Sequence, residues 1–264
     1  MQTRKIVRAA AVQAASPNYD LAAGVDKTIE LARQARDEGC DLIVFGETWL
    51  PGYPFHVWLG APAWSLKYSA RYQANSLCLD SAEFHHIAQA ARTLGIFIAL
   101  GYSERSGGSL YLGQCLIDDK GEMLWSRRKL KPTHVERTVF GEGYARDLIV
   151  SDTELGRVGA LCCWEHLSPL SKYARYSQHE AIHIAAWPSF SLYSEQAHAL
   201  SAKVNMAASQ IYSVEGQCFT IAASSVVTQE TLDMLEVGEH NAHLLTVGGG
   251  SSMIFAPDRS EEHT

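Results

Sequence analysis

Along this chain, short unbroken apolar runs alternate with longer stretches in which apolar positions recur every three or four residues. The runs read as buried strands and the stretches as amphipathic helices. "KIVRAAAV" (Lys5–Val12) is the first strand. A helix is predicted from Leu21 to about Glu38, with Leu21, Val25, Ile29 and Ala32 on one face, Asp20 placed to cap it and Gly39 to stop it. "DLIVFGE" reads as a short buried strand ending in a carboxylate. A second helix is predicted from near Ser81, where Asp80 and Glu83 have the spacing of a capping box. "IFIALGYSE" is another strand, and "SLYLGQCLI", "DDKG" and "EMLWSRRKL" read as strand, turn and strand of a β-hairpin. Then come a strand "GRVGALCC", a helix through Pro169–Gln178, a strand "AIHIAAWPS", a long helix over Ala197–Glu215, and strands "CFTIAASS" and "GGGSSMIF". Strands and helices alternating around a central hairpin predict an α/β sandwich with a mixed sheet. No repeat, low-complexity tract or linker divides the chain, so one domain is expected over 1–258.

Composition narrows the classes. A chain of 264 residues that is 47% hydrophobic can bury a large core. The formal charge of -7 is spread along the chain, which argues against nucleic acid, whose phosphates need a basic face. No apolar run is long enough to cross a membrane. The start "MQTRKIVRAAAVQAA" mimics a signal peptide, but Arg8 and Gln13 interrupt its apolar stretch. Cys40, Cys78, Cys115, Cys162, Cys163 and Cys218 are scattered through apolar segments without a framework spacing, the usage of reduced thiols. A soluble cytoplasmic protein is expected.

Three predicted strand ends carry reactive side chains: Glu47, Lys129 and Cys163. In open α/β sheets ligands gather beyond the carboxyl ends of the strands, so groups placed there can converge. Together they make a coherent set: a thiolate to attack, a carboxylate to take the thiol proton, and an ammonium to stabilise developing negative charge. A free thiol near pKa 8.5 is mostly protonated at pH 7, and a fall of about 1.5, worth about 2 kcal/mol, would make half of it thiolate. Each residue also has a plain reading. Cys163, like Cys162, is the kind of small apolar filler that ends a buried strand. Lys129 in "RRKLK" is a solvated charge, and Glu47 beside Gly46 caps the loop "TWLPGYP". Spacing alone does not choose between these. Cys162, Cys163 and His166 are zinc-ligand types, but no second pair is spaced to complete a tetrahedron. "GGGSS" lacks a P-loop lysine, and His179 and His183 straddle a helix end and a strand.

The segments "RRKLKPTHVER", "CCWEH", "IHIAAWPSFSLY" and "FGETWLPGYP" resemble the nitrilase branch of the nitrilase (carbon-nitrogen hydrolase) superfamily. The similarity runs from "AAVQAASP" to "GGGSSMIFAPD", nearly the whole chain. It implies a four-layer αββα sandwich with mixed β-sheets and a Glu-Lys-Cys site. By resemblance Glu47 is the general base, Lys129 the cationic stabiliser, Glu136 of "HVER" a supporting glutamate and Cys163 the nucleophile, while Cys162 packs. Gly46 stands where the family usually has proline. The resemblance also places Tyr53, Phe140, Trp164 and Trp187 in the substrate pocket, with Pro188 and Phe190 in the same segments; their plain reading is core.

The implied reaction is thiolate addition to a nitrile, giving a thioimidate, then a thioester, then the acid and ammonia. It needs no metal or organic cofactor, and the Trp164 N–H would join Lys129 at the oxyanion. An aromatic lining implies an aryl or arylacetonitrile substrate, and the family implies a homodimer or larger homo-oligomer. The same triad would serve an amidase or carbamoylase, or stand idle in an oligomeric scaffold; "THVER" and "CWEH" favour the nitrilase branch.

The end of the chain departs from the pattern. "FAPD" is followed by "RSEEHT", with Arg259 in place of an expected glycine. AGA TCG GAA GAG CAC ACG also encodes that hexapeptide, and the string resembles a sequencing-library adapter. The expectation is a domain cut at Asp258, with 259–264 a non-native tail and a sheet edge left bare beside "SSMIF".

Overall fold

The computed structural model describes residues 6–193 and 196–258. The hexapeptide 259–264, and with it the expected tail, lies outside the described residues, as does Lys5.

Among the described residues, eleven strands build two sheets. The first contains β1 (Ala9–Ala11), β2 (Leu42–Val44), β3 (Phe97–Ser106), β4 (Ser109–Ile117) and β5 (Met123–Arg128) in that order, with β6 (Phe140–Gly141) also paired to β4. The second runs from β7 (Ser151–Thr153) through β8 (Gly156–Cys162), β9 (Ile182–Trp187) and β10 (Phe219–Ser224) to β11 (Met253–Phe255). Each is mixed. β1, β2 and β3 are parallel, whereas β3, β4 and β5 are antiparallel; β8, β9 and β10 are parallel, with β7 and β11 antiparallel at the edges.

Alternation along the buried strands sets the layers. Leu42, Val44, Phe97, Ala99 and Leu116 of the first sheet meet Val158, Ala160, Ile182, Ile184 and Ile221 of the second in one core between the sheets. Their neighbours Ile43, Ile98, Leu100 and Ile117 face the other way, under helices α1 (Leu21–Asp37) and α4 (Ala82–Leu94). On the far side Ala185, Trp187 and Ala222 face Met206 of α6 (Ala202–Gly216). The result is the predicted αββα sandwich.

Most of the predicted elements are present, with shifted ends. Asp20 caps α1 by accepting from the Ala23 N–H at 3.0 Å, and Gly39 follows at φ +81°. The cap of α4 is Ser81, accepting from the Phe84 N–H, so the Asp80–Glu83 box is one residue out of register. The expected helix over Ala197–Glu215 begins as a 3₁₀ turn at His198–Leu200; α6 proper starts after Ser201, whose hydroxyl caps it. "GGGSSMIF" is strand only at Met253–Phe255, because Gly248 and Gly249 adopt positive φ. Four further helices lie among the described residues. α2 (His56–Leu59) and α3 (Pro62–Ala74) follow the loop after β2, α5 (Pro169–Tyr176) lies between β8 and β9, and α7 (Gln229–Met234) follows β10. Of these only α5 is anticipated by the apolar pattern; the buried face of α3 is Ser65, Tyr68 and Tyr72, which carries little aliphatic signal.

Candidate active site

The three strand-end residues meet at one end of the sandwich. Glu47 lies in the turn after β2, Lys129 directly follows β5 and Cys163 directly follows β8. Lys129 Nζ donates to Glu47 Oε1 at 2.8 Å and to Glu136 Oε2 at 2.9 Å, all three side chains being almost fully buried. Cys163 and Glu136 open onto a cavity that Tyr53, Trp164, Trp187 and Pro188 also line. Glu47 and Lys129 lie behind that wall.

The two carboxylates differ in their partners. Glu136 Oε2 also accepts from the Thr133 N–H at 2.6 Å, and its Oε1 accepts from the Tyr53 hydroxyl at 2.6 Å. Glu47 has Lys129 alone; its buried Oε2 has no hydrogen-bond partner. Burial pushes the Glu47 carboxyl up, Lys129 holds it down, and the Glu136 charge raises it again, to about 8. Burial alone would lower Lys129, but Glu136 and Glu47 outweigh it and keep the ammonium well above its ordinary value. Burial and the Glu47 charge also push the Cys163 thiol well up, against the pull of Lys129 and the Trp164 N–H. The resting nucleophile candidate is therefore a thiol, not the acidified cysteine that a thiolate at neutral pH requires.

Backbone geometry explains the placement. The Glu47 N–H donates to Trp187 O at 3.0 Å, tying the turn to the end of β9. A Cβ on Gly46 would sit 2.7 Å from that same carbonyl oxygen, so this close approach favours glycine at the position. Gly101 is tighter still, its Cβ position lying 2.1 Å from Gly46 O. Cys163 opens a 3₁₀ turn, Cys163–Leu167, with φ +46°, a conformation uncommon outside glycine and one that lifts its side chain off the strand line.

Behind the site, Arg127 and Glu165 form a buried bidentate pair at 2.7 and 2.8 Å. Glu165 also accepts from the N–H groups of Leu130 and Cys162 at 2.9 and 2.8 Å. Burial would raise this carboxyl, but the Arg127 charge and these donors bring it down to about 2. One carboxylate thus clamps the strand end that presents Lys129 to the strand end that presents Cys163. Cys162 faces the interior and is completely buried.

Phe140 is not brought to this cavity. It sits in β6, packed edge-on against Tyr72 at 6.2 Å, and lines a separate outer groove. β6 pairs with β4, setting Phe140 opposite Leu110. Conversely, the sequence reading missed Trp58, Thr133, Leu192, Leu200 and Asn205, which line the cavity. Trp58 donates to the Tyr53 hydroxyl at 3.2 Å and Asn205 accepts from the Trp164 indole at 3.1 Å. Trp58 lies on α2, within the stretch where no element is legible, so its only signal is its nearness in sequence to Tyr53. Among the described residues no group of three His, Cys, Asp or Glu side chains is arranged to hold a metal ion, and no helix is long and apolar enough to cross a membrane.

The family model for carbon-nitrogen hydrolases matches residues 8–260. The chain belongs to the carbon-nitrogen hydrolase family. Among similar members, a protein of Alcaligenes faecalis named "Nitrilase, arylacetone-specific" is 96% identical over 258 residues, covering 98% of this chain and 72% of that protein. A nitrilase of Pseudomonas syringae pv. syringae is 54% identical, over 97% of this chain and 76% of its own. An arylacetonitrilase of Aspergillus niger is 41% identical, over 96% and 77%. An amidase from Nesterenkonia sp. shares the hydrolase fold with a TM-score of 0.70 at 17% identity, over 97% of this chain and 84% of that one.

Proposed function

We propose that this chain is a nitrilase that converts an aryl or arylacetonitrile and water into the carboxylic acid and ammonia. The observation that carries the mechanism is the asymmetric triad: an ammonium held between two carboxylates, only one of which keeps a free oxygen, beside the Cys163 thiol. Glu136, saturated by three donors, fixes Lys129. Glu47, raised to about 8, is the group able to take a proton from a raised thiol. The thiolate adds to the nitrile carbon and the proton passes to nitrogen, giving a thioimidate. Water adds with Glu47 as base, the Lys129 ammonium and the Trp164 N–H stabilise the tetrahedral charge, and ammonia leaves a thioester. A second water releases the acid and restores the thiol.

An aromatic substrate is supported by the cavity wall, where Tyr53, Trp58, Trp164, Trp187 and Phe190 offer ring faces and edges. The relatives named for arylacetone and arylacetonitrile substrates favour the same class. A homo-oligomer is supported by the apolar side chains that α5 presents outward, Leu170 at 81% and Tyr173 at 69% exposure, with Leu167 beside them. A cytoplasmic setting accords with six free thiols. Ammonia release from phenylacetonitrile and phenylacetamide, assayed side by side, tests the reading. Turnover of the nitrile is expected; turnover of the amide alone would assign an amidase instead.

A further inference from the structure

Next to the triad runs a second buried polar chain that the proposed mechanism does not use. His166 Nδ1 lies 2.6 Å from the carbonyl oxygen of Cys163, and its Nε2 lies 2.9 Å from His183 Nε2. His183 Nδ1 lies 2.9 Å from Glu180 Oε1, and Glu180 Oε2 accepts from the Tyr212 hydroxyl at 2.6 Å. His166, His183, Glu180 and Tyr212 are all buried. Trp187 stacks on the His166 ring with centroids 5.0 Å apart, and Tyr212 stacks on His183 at 3.6 Å. Room for the carboxylate comes from Gly159, where a Cβ would lie 2.1 Å from Glu180 Oε1.

Counting protons orients the chain. A carbonyl only accepts, so His166 Nδ1 carries hydrogen. One proton lies between the two Nε2 atoms. Placing it on His166 would make a buried imidazolium, and burial together with His183 lowers the His166 pKa to about 3. His183 Nε2 is then the donor to His166, and Glu180 Oε1 faces the other ring nitrogen, His183 Nδ1.

The carbonyl of Cys163 and the N–H of Trp164 are two ends of one planar peptide group. Fixing the oxygen fixes where the N–H points, and a hydrogen bond accepted by the oxygen polarises the group and strengthens the N–H as a donor. We propose that His166 is a positioning residue, locked by His183 and Glu180 as the neutral Nδ1–H tautomer, that holds the Cys163–Trp164 peptide so its N–H faces the reacting centre. This rests on the reading of Cys163 as nucleophile. It also accounts for how a non-glycine residue is kept at φ +46°.

The test uses the full chain with His166→Phe and His166→Asn. Steady-state rates are expressed per Cys163 that takes up iodoacetamide, counted by mass spectrometry, so that a misfolded fraction does not lower them. With His166→Phe, kcat per reactive site is expected to fall on the order of 10²-fold, the usual cost of an oxyanion donor, with KM little changed. His166→Asn places an amide N–H near the lost Nδ1–H and is expected to recover at least part of that loss. Histidine ¹⁵N spectra of the unsubstituted protein should show His166 with hydrogen on Nδ1 and none on Nε2. An unchanged kcat per reactive site in His166→Phe, or hydrogen on Nε2, overturns the inference. If His166→Phe does not fold, the asparagine variant and the spectra decide it. Turnover by Cys163→Ala would instead sink the nucleophile reading itself, which separates the two failures.

Discussion

At the scale of single residues, what each group lacks says as much as what it touches. Glu47 retains a free oxygen where Glu136 has none. Glu47→Gln keeps the shape but removes the base, and kcat is expected to fall about 10²–10⁴-fold. The pH profile carries the same signature. Folding raises Glu47 to about 8, so it favours the protonated form; that stability is fully present below the unfolded value and is lost as pH rises through the folded one. Catalysis asks for the ionised form, so kcat/KM should climb with a midpoint near pH 8 and be flat in Glu47→Gln. A profile already level from pH 6 would contradict it. Of the adjacent cysteines, Cys163→Ala is expected to abolish turnover while Cys162→Ala keeps much of it, since Cys162 faces the interior. A dead but folded Cys162→Ala beside an active Cys163→Ala would reverse the assignment.

At the scale of elements, legibility followed aliphatic burial. β2 is an unbroken apolar run and β3, β8, β9 and β10 are largely apolar, and the residues just past β2, β5 and β8 include the triad. α3 escaped notice because serine and tyrosine fill its inner face, and the inner contacts of α2 escaped with it. Phe140 lies in the two-residue β6, too short a signal to read, and lines the outer groove. The link between His166 and His183 depends on β8–β9 register, which sets Gly159 against His183 and Cys162 against Ala186. Sequence spacing holds no trace of it. The Arg127–Glu165 pair is of the same kind. Arg127→Leu leaves a buried carboxylate without its charge partner and is expected to cost about 3–5 kcal/mol, read as a lower urea midpoint. Adding Glu165→Leu should restore only part of that, because the Leu130 and Cys162 N–H groups would then lose their acceptor.

For the molecule as a whole, the site depends on two sheets pressed together. Glu47, Lys129 and Glu136 come from the part of the chain that ends with β6, and Cys163 from the part that begins with β7. The core between the sheets, Leu42, Val44, Phe97 and Leu116 against Val158, Ile182, Ile184 and Ile221, holds them in reach of one another. The covalent crossing from one part to the other is a single surface passage between β6 and β7, where Tyr144 and Ile149 are exposed. Proteins divided at such a place can be made as two pieces. Coexpressed as 1–144 and 145–264, the pieces should reassemble and release ammonia from phenylacetonitrile, while each alone stays silent. The first would own a base with nothing to deprotonate, and the second a thiol with nothing to wake it. That makes the pair a logic gate whose output is ammonia, usable as a reporter for whether two fused partners have met.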